Sequence, residues 1–547
     1  MINFQTDPAQ YRHWRVDYQG AIAYLTMDVD EDAGLFDGYQ LKLNSYDLGV
    51  DIELADIVQR MRFEHPEVAV VVMQSGKDRV FCAGANIRML GGASHTHKVN
   101  FCKFTNETRN TYEAAEADSQ QKYIAAIKGS CAGGGYELAL ACNYLMLTND
   151  SSSAVALPEV PLLAVLPGTG GLTRVTDKRQ VRRDRADIFC SLEEGIRGDR
   201  AKAWKLVDEV VPNARFDEVV QERATGFAGD INKPDNRNGI SLQPLQRQID
   251  ADGSVQYTLV NIKVDRAAGT AELTLHGPTG DCPDNLTAQG DQMYFLKLAR
   301  ELDDAILHLR FNEAEVGLLV FKTVGDIATL LAHEQQLHDN SDHWLINEVL
   351  MYWKRLLKRI DVTSRSMVSI VEHGSCFGGV LAELLFATDR SYMMDGEFEE
   401  DNRAEAAITL TTANFGAMPM GNGLTRLQTR FIGDEDSVAA AQQSMHQPLN
   451  AADAEALGLI TFALDDIDWE DEIRIFLEER ASFSPDAMTG MEANLRFAGP
   501  ETMETRIFGR LTAWQNWIFN RPNAVGENGA LQRYGTGKRG EFSKERV

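Results

Sequence analysis

The chain has 547 residues, enough for about two to four domains at about 150 residues each. Hydrophobic residues make up 44% and charged residues 25%, as in folded globular proteins, which excludes a disordered or fibrous chain. With 54 basic and 81 acidic residues the formal net charge is −27, so most of the surface repels nucleic acid and anionic lipid, and neither is an expected partner.

The N-terminal residues show no signal-peptide pattern, and the longest aliphatic run, residues 68–73, is far shorter than the roughly 20 residues that span a bilayer. We therefore expect a cytoplasmic protein. The seven cysteines form no C-x-x-C pair, which favours reduced thiols over disulfides or a zinc site. His95 and His97 have no acidic or cysteine companions at ligand spacing, so a solvated loop and no metal are predicted there.

Strands and helices alternate along the chain. Residues 16–28 predict a strand with a glycine break, residues 51–63 a helix and residues 67–73 a short aliphatic strand. The same order recurs about 250 residues later, at 260–278, 294–311 and 315–321. The sequence therefore predicts an α/β fold with an internal repeat.

Two glycine motifs repeat at nearly the same offset. The recurring pairs are G-S-C-x-G-G at 129–134 and 374–379, and G-L-T-R at 171–174 and 423–426. A repeat of this length predicts two copies of one domain rather than a solenoid. We predict domains at residues 1–255 and 256–486, with a polar linker from residue 231 at the end of the first, and a helical C-terminal segment at 487–547 that contains an amphipathic stretch at 502–519.

Two segments of the first copy place small residues where a strand turns into a helix. They are RVFCAGANI at 79–87 and GGGYEL at 133–138. Glycine lets the backbone approach a ligand closely, and the first N–H groups of a helix are unpaired at the positive end of its dipole. Two such donors can hold a developing oxyanion, each worth about 10² to 10³ in rate. Tight packing of helix on strand explains the glycines equally well from spacing alone.

The motifs FCAGAN, GSCAGGGYEL, LPEV and PGTGGLTR, in this order, resemble the signature of the crotonase (enoyl-CoA hydratase/isomerase) superfamily. The resemblance implies a spiral of ββα turns that binds an acyl-CoA, with the thioester oxygen held by the N–H groups of Ala85 and Gly134. It also implies CoA contacts at Ala83 and Ile87. The family's usual aspartate is replaced by asparagine at position 86, which we expect to contact backbone rather than substrate.

By the same resemblance, Glu137 and Glu159 match the family's two acidic catalysts. Two carboxylates beside an apolar pocket have pKa values pushed up and apart by desolvation and mutual repulsion, which provides an acid and a base near neutral pH. The alternatives are an exposed first-turn glutamate at 137, favoured by the helix dipole, and a plain surface glutamate in a loop at 159.

The second copy departs from the motifs at each of these places. Ala382 or Leu381 falls at the position of Glu137, and Thr411 at that of Glu159. Glu383 reaches the first position only with a one-residue insertion. We therefore predict that the second copy is degenerate and structural.

The C-terminal segment resembles the family's C-terminal helix and its Lys-Arg-x-x-Phe ending, which closes over the CoA. Lys538 and Arg539 suit pairing with CoA phosphates, and an ordinary solvated basic turn is equally compatible. Residues 535–540 also fit G-x-G-x-x-G, but no strand precedes them, which excludes a dinucleotide site. The segment is also a candidate contact of a homodimer.

Over its whole length the chain resembles a ring-opening branch of the superfamily. This implies as substrate a benzoyl-CoA oxidised on its ring, the 2,3-epoxide or the dihydrodiol, which water opens with release of formate during aerobic benzoate breakdown. No cofactor is implied, since CoA is part of the substrate. Cys102, in the roof over the acyl group, is a candidate base if Lys98 or Lys103 lowers its pKa; a buried apolar cysteine is the alternative. The rival functions are an ordinary enoyl-CoA hydratase/isomerase with an appended domain and an inactive crotonase-fold scaffold.

Overall fold

The computed structural model describes residues 1–231, 233, 238–283, 285–396 and 403–547. The chain divides into two compact units, the first formed by Asn3–Pro244 and the second by Met1–Ile2 and Leu245–Val547. The division at residue 244 lies close to the predicted one at 255, and residues 487–547 group with the second unit. The predicted linker from residue 231 falls partly outside the described residues, and the division into three domains stays a prediction.

The first unit combines nine strands and ten helices among its described residues. Its strands are β1 (Trp14–Gln19), β2 (Ile22–Met27), β3 (Val70–Ser75), β4 (Val80–Cys82), β5 (Lys122–Ile127), β6 (Ser130–Ala132), β7 (Tyr144–Asn149), β8 (Ala154–Ala156) and β9 (Glu209–Pro212). Its helices are α1 (Leu48–Phe63), α2 (Ile87–Gly92), α3 (His95–Glu113), α4 (Ala115–Ser119), α5 (Gly134–Leu140), α6 (Glu159–Leu163), α7 (Gly171–Thr173), α8 (Arg183–Phe189), α9 (Gly198–Ala203) and α10 (Phe216–Asp230). Shorter turns of 3₁₀ or π type lie at Lys42–Asn44, Arg174–Lys178 and Asn213–Arg215.

The larger sheet of this unit has the order β1-β2-β3-β5-β7-β9. β1 and β2 are an antiparallel hairpin that turns at Gly20, whose φ of +61° suits glycine, and the remaining pairs are parallel. The predicted strand with a glycine break is this hairpin, and the helix predicted at 51–63 is α1. The aliphatic runs of β3 and β5 are almost wholly buried, as strands in the middle of a parallel sheet must be.

A second, three-stranded sheet has the order β4-β6-β8 and is parallel throughout. Because its strands run parallel, their carboxyl ends meet at one edge. The loops that leave this edge are residues 83–86, residue 133 and residues 157–158. An isolated parallel bridge between Tyr46 and Ala85 extends the sheet beside the first of these loops.

The second unit contains an eight-stranded sheet of order β10-β11-β12-β13-β14-β15-β16-β17. Its strands are β10 (Gln248–Ile249), β11 (Val255–Gln256), β12 (Val260–Asp265), β13 (Thr270–His276), β14 (Leu318–Val324), β15 (Ser366–Val371), β16 (Arg390–Met394) and β17 (Phe462–Leu464). Pairs are antiparallel as far as β13 and parallel beyond it. The strand predicted at 260–278 is the β12–β13 hairpin.

The longer helices of the second unit include the one predicted at 294–311. The helices are α11 (Tyr294–Asn312), α12 (Ile327–Asp339), α13 (Trp344–Val362), α14 (Ala382–Ala387), α15 (Arg426–Arg430), α16 (Glu435–Gln443), α17 (Ala451–Ala456), α18 (Trp469–Ser482), α19 (Pro485–Arg496), α20 (Met503–Thr505), α21 (Thr512–Ile518), α22 (Pro522–Val525) and α23 (Ala530–Arg533). Shorter 3₁₀ or π turns lie at Thr287–Gln292, Gly379–Leu381, Thr412–Asn414 and Arg506–Leu511. The amphipathic stretch predicted at 502–519 is therefore helical.

Within the described residues, no helix has both the length and the apolar character that crossing a membrane requires. Over the same part of the chain, no cluster of three or more His, Cys, Asp or Glu side chains is placed to hold a metal ion. The prediction of a solvated loop at His95 and His97 is wrong. Both residues lie in the first turn of α3, where the Ser94 hydroxyl caps the helix by accepting from the His97 amide at 3.1 Å.

Candidate active site

Two backbone amides meet at the carboxyl edge of the small sheet. A Cβ on residue 134 would lie 3.1 Å from the Ala85 nitrogen, and a Cβ on residue 84 would lie 2.7 Å from the Gly134 nitrogen. Neither N–H of Ala85 and Gly134 donates to another group in the described part of the chain. The structure therefore brings together the two donors that the sequence assigned to an oxyanion hole.

The carbonyl groups behind these two amides are hydrogen-bonded. Gly84 O, in the same peptide as the Ala85 N–H, accepts from the Tyr46 amide at 3.0 Å. Gly133 O, in the same peptide as the Gly134 N–H, accepts from the Tyr136 and Glu137 amides at 2.9 and 3.0 Å. A hydrogen bond to the carbonyl polarises the whole peptide and strengthens its N–H as a donor. Both peptides are thus prepared to bind negative charge.

Glu137 projects from the first turn of α5 and is only 3% exposed. One carboxylate oxygen accepts from the Gly171 amide at 2.7 Å, and the other accepts from the Thr169 hydroxyl. Arg109 Nη1 lies 3.9 Å from this second oxygen. The alternative of an exposed first-turn glutamate is therefore wrong, because the side chain is held inside the unit by two donors.

Glu159 is the first residue of α6 and is 7% exposed, so the alternative of a surface glutamate in a loop is also wrong. Its Oε2 has no hydrogen-bond partner among the described residues. Burial, and then the nearby charge of Glu137, raise the pKa of Glu159 to about 7. A carboxyl group with this pKa exchanges protons readily at neutral pH.

Gly133 keeps the space beside this carboxyl group open. Its φ is +54°, and a Cβ there would lie 2.9 Å from Glu159 Oε1. Glycine is therefore required twice, by the backbone conformation and by the close approach of the acid.

Arg109 and Tyr46 form a buried polar pair beneath the site that the sequence analysis missed. Arg109 Nη2 donates to the Tyr46 hydroxyl at 2.7 Å and to Gly134 O at 2.9 Å, and Nη1 donates to Thr169 O at 2.9 Å. Neither residue belongs to a glycine motif, so no local pattern in the sequence marks them. Their importance comes from the groups that the fold places around them.

The Asn86 side chain contacts backbone, as predicted, and also one side chain. Its side chain accepts from the Met89 amide as the cap of α2 and donates to Gln40 O at 2.8 Å and to Ser45 Oγ at 3.1 Å. An amide serves here better than a carboxylate, because two of these partners accept hydrogen bonds.

A cavity of about 550 Å³ opens beside the first loop of the site. Its lining residues are Gly38, Tyr39, Gln40, Lys42, Ser45, Ala83, Ala85, Asn86, Ile87 and Arg88. The structure thus places the predicted CoA contacts Ala83 and Ile87 in one cavity with Ala85, the predicted oxyanion donor. Lys42 and Arg88 add two exposed cations that the sequence analysis missed, although Arg88 directly follows the FCAGANI motif.

Cys102 lies on α3 and is half-buried. The expected lowering of its pKa is wrong: burial, and then the charge of Glu137, raise the pKa of the thiol to about 11. At neutral pH the thiolate is therefore scarce, and the physical argument for Cys102 as a base is lost.

In the second unit a buried carboxylate lies at the glycine turn of residues 378–379. Glu334, from α12, accepts from the Val380 amide at 2.7 Å and from the Thr411 hydroxyl. A Cβ on Gly379 would lie 1.8 Å from Glu334 Oε2. The side chain of Glu334 therefore occupies the space at the glycine turn of the second unit.

Glu383 of the second unit is buried, like Glu137, but its partners differ. Its carboxylate accepts from Asn414 Nδ2 at 2.8 Å and from Arg426 Nη1 at 3.0 Å. Both oxygens are thus engaged, one of them by a buried cation. Lys538 and Arg539 also belong to this unit and are exposed, so their pairing with CoA phosphates stays a prediction.

The geometry of the first unit supports acid–base chemistry on a carbonyl compound. It offers two amide donors for an oxyanion, one acid near its midpoint at neutral pH and a second carboxylate fixed by two donors. The structure thus places the residues that the motifs assigned to the site in one unit, with a cavity beside Ala85.

Comparisons with known proteins agree with this description. The family model described as enoyl-CoA hydratase/isomerase matches residues 40–258. A protein named benzoyl-CoA-dihydrodiol lyase, from Aromatoleum evansii, is 52% identical over 550 residues, which cover 100% of this chain and 98% of that protein. The fatty acid oxidation complex subunit alpha of Aliivibrio fischeri is 31% identical over 228 residues, or 42% of this chain and 31% of that protein.

Among solved structures, an enoyl-CoA hydratase from Geobacillus kaustophilus HTA426 is 32% identical, with a TM-score of 0.35, and covers 40% of this chain and 75% of that one. An enoyl-CoA hydratase from Bacillus anthracis is 28% identical, with a TM-score of 0.34, and covers 40% of this chain and 76% of that one.

Proposed function

Because the chain belongs to the benzoyl-CoA-dihydrodiol lyase family of the crotonase superfamily, we propose that it opens the ring of 2,3-epoxy-2,3-dihydrobenzoyl-CoA, or of its dihydrodiol, by hydrolysis. The products are 3,4-dehydroadipyl-CoA semialdehyde and formate, in aerobic benzoate breakdown. Atom balance requires two water molecules for each epoxide and no oxidant. The observation that carries this proposal is 52% identity to the relative over the whole chain, including the second unit.

The residues of the first unit support distinct steps of this reaction. The amides of Ala85 and Gly134 bind the thioester oxygen and stabilise the negative charge that cleavage of the carbon–carbon bond moves onto it. Glu159, with a pKa of about 7, takes a proton from water or from a ring hydroxyl and returns it later. Glu137, fixed by Thr169 and Gly171, orients the water.

The cavity beside Ala85 supports binding of the CoA portion. Ala83 and Ile87 supply backbone and apolar contacts, and Lys42 and Arg88 are cations suited to phosphate. Replacing Lys42 and Arg88 together by glutamine should raise the KM for the CoA ester and leave kcat nearly unchanged. The same double change at Lys538 and Arg539 tests the C-terminal segment, and an unchanged KM there excludes it from CoA binding.

We further propose that the second unit is a degenerate copy of the first that performs no chemistry. Both larger sheets contain an antiparallel hairpin, β1–β2 or β12–β13, that leads into parallel strands. In both units the arginine that ends G-L-T-R pairs with a carboxylate of a preceding long helix: Arg174 with Glu113 at 2.8 Å and Arg426 with Asp361 at 2.7 Å. Glu334 supports loss of function, because it occupies the glycine turn.

A cytoplasmic homodimer that needs no cofactor remains part of the proposal. Sedimentation velocity of the purified protein tests the oligomeric state. Activity that is unchanged after extensive dialysis against a chelator tests the requirement for metal.

One experiment separates the proposed reaction from the rival functions. The purified protein is incubated with 2,3-epoxybenzoyl-CoA and, in parallel, with crotonyl-CoA, while formate and hydration are measured separately. The proposal requires formate in the first incubation at a rate far above hydration in the second. Rapid hydration of crotonyl-CoA without formate release identifies an ordinary hydratase, and the absence of both activities identifies a scaffold.

A further inference from the structure

Tyr46 carries a buried hydroxyl group at the oxyanion donors. The residue is 2% exposed, and its backbone pairs with the loop that contains Ala85. A Cβ on residue 134 would lie 2.1 Å from the Tyr46 hydroxyl oxygen and 3.1 Å from the Ala85 nitrogen. The phenol oxygen therefore lies against Gly134, close to the two free amides.

The hydroxyl of Tyr46 is only half satisfied. Its oxygen accepts from Arg109 Nη2 at 2.7 Å, but its own proton has no acceptor within the described ranges of the chain. Two other buried phenols of the first unit do have one: the Tyr112 hydroxyl donates to Leu138 O at 2.8 Å, and the Tyr136 hydroxyl to Leu206 O at 2.6 Å. A buried donor without an acceptor is costly, so an acceptor that arrives with the ligand relieves a penalty that the free protein carries.

Arg109 holds the phenol in this state. The guanidinium also donates to the carbonyl oxygens of Thr169 and Gly134, and these two hydrogen bonds fix its position relative to the oxyanion donors. By donating to the phenol oxygen it directs the hydroxyl proton away from itself and strengthens that proton as a donor. Burial raises the pKa of Tyr46, so the phenol stays protonated at working pH and acts only as a hydrogen-bond donor.

We propose that the Tyr46 O–H is a third donor to the thioester oxygen, beside the amides of Ala85 and Gly134, and that Arg109 is the positioning residue that orients it. The inference rests on the proposed function in one respect only, that the ligand is an acyl-CoA thioester. No covalent bond forms or breaks at Tyr46. The hydrogen bond strengthens as negative charge develops on the thioester oxygen, so it lowers the barrier more than it tightens substrate binding.

The test uses benzoyl-CoA labelled with ¹³C at the thioester carbonyl, a ligand that presents the carbonyl without being turned over. Difference infrared spectra report the carbonyl stretch of the bound ester, which moves to lower wavenumber as hydrogen bonds to the oxygen are added. The wild-type protein is compared with Tyr46→Phe, which removes only the hydroxyl group. Tyr112→Phe is the matched control, because its hydroxyl has a protein acceptor away from the amides.

On binding, we expect the carbonyl stretch of benzoyl-CoA to move far to lower wavenumber in the wild type and in Tyr112→Phe. The movement should be clearly smaller in Tyr46→Phe. With the epoxide as substrate, kcat of Tyr46→Phe should fall by about 10² to 10³, the effect of one oxyanion donor, with little change in KM. Arg109→Lys, which keeps the charge but loses the fork, should reduce the shift partway and serves as second variant if Tyr46→Phe folds poorly.

An equal carbonyl shift in the wild type and Tyr46→Phe overturns the role of Tyr46, while the proposed function stands. If the protein neither binds benzoyl-CoA nor releases formate from the epoxide, the proposed function and this inference fail together. A purely structural role for the phenol would lower stability and leave the carbonyl frequency of the bound ester unchanged.

Discussion

Replacing Glu159 by glutamine should stabilise the protein at high pH while it abolishes most of the activity. The folded-state pKa of Glu159 is about 7, above the ordinary value of 4.5, so the folded state binds this proton more tightly than the unfolded state. The stability that protonation contributes is fully present below pH 4.5 and is lost as the pH rises through about 7. Glutamine removes this dependence, because it cannot ionise.

The magnitude follows from the same two pKa values. One pKa unit corresponds to about 1.4 kcal/mol. Relative to the protein at low pH, the wild-type carboxyl group therefore lowers the free energy of unfolding by about 1.4 kcal/mol at pH 5.5 and by about 3.4 kcal/mol at pH 8.5. Between these two pH values the free energy of unfolding of the variant should therefore rise by up to about 2 kcal/mol relative to that of the wild type. Relaxation of the site around the ionised carboxylate makes this difference smaller. Meanwhile kcat should fall by about 10² to 10⁴, the usual contribution of one positioned proton-transfer group.

Urea unfolding of both proteins at pH 5.5 and 8.5 measures the difference, and formate release measures kcat. Glu193→Gln is the control, since it removes one exposed carboxylate of the same unit. The reasoning fails if Glu159→Gln and the wild type differ equally at both pH values, because the buried carboxyl group would then titrate as an ordinary one. Near-normal turnover in the variant would remove Glu159 from the mechanism.

Glu137→Gln should lower kcat by two or more orders of magnitude, since one such group is worth about 10² to 10⁴, while calorimetry still detects binding of the CoA ester; near-normal turnover would exclude the residue. Gly133→Ala should cost about 1 to 3 kcal/mol of stability, measured by urea unfolding, and most of the activity, because of its positive φ and its contact with Glu159. Gly91→Ala, which meets nothing within 4 Å, should change neither quantity, and equal effects of the two changes would contradict the argument. Cys102→Ala should leave the kinetics of formate release unchanged because the thiol pKa is about 11, whereas an accumulating formylated intermediate would restore Cys102 as a base. Calorimetry should find one acyl-CoA for each chain, and two would overturn the view that the second unit is inactive.

The sequence by itself determined the features that depend on local pattern. Alternating apolar positions predicted a strand with a break at Gly20, which the structure shows as a hairpin, and the aliphatic run predicted the buried strand β3. Strand period and backbone sterics are properties of neighbouring residues, so a local pattern contains them. The glycine turns at residues 84 and 133–134 were recognisable for the same reason. Motif order then identified Ala85, Gly134, Glu137 and Glu159, and the structure brings these four residues into one unit.

The tertiary structure alone decided how these residues behave. The pKa of Glu159 near 7 depends on burial and on the charge of Glu137, which stands 22 positions earlier in the chain. The same two influences raise the pKa of Cys102, where nearby lysines in the sequence had suggested the opposite. Desolvation and Coulomb interactions act through space, so a linear pattern does not contain them.

The contacts of Arg109 with Tyr46, and of Glu334 with the glycine turn of the second unit, are of the same kind. Arg109 reaches groups 25 to 63 positions away, and Glu334 reaches an amide 46 positions away. An arginine or a glutamate on a long helix resembles an ordinary surface residue in the sequence. Only the tertiary packing of these helices buries the charged groups and brings them to partners that are distant in the sequence.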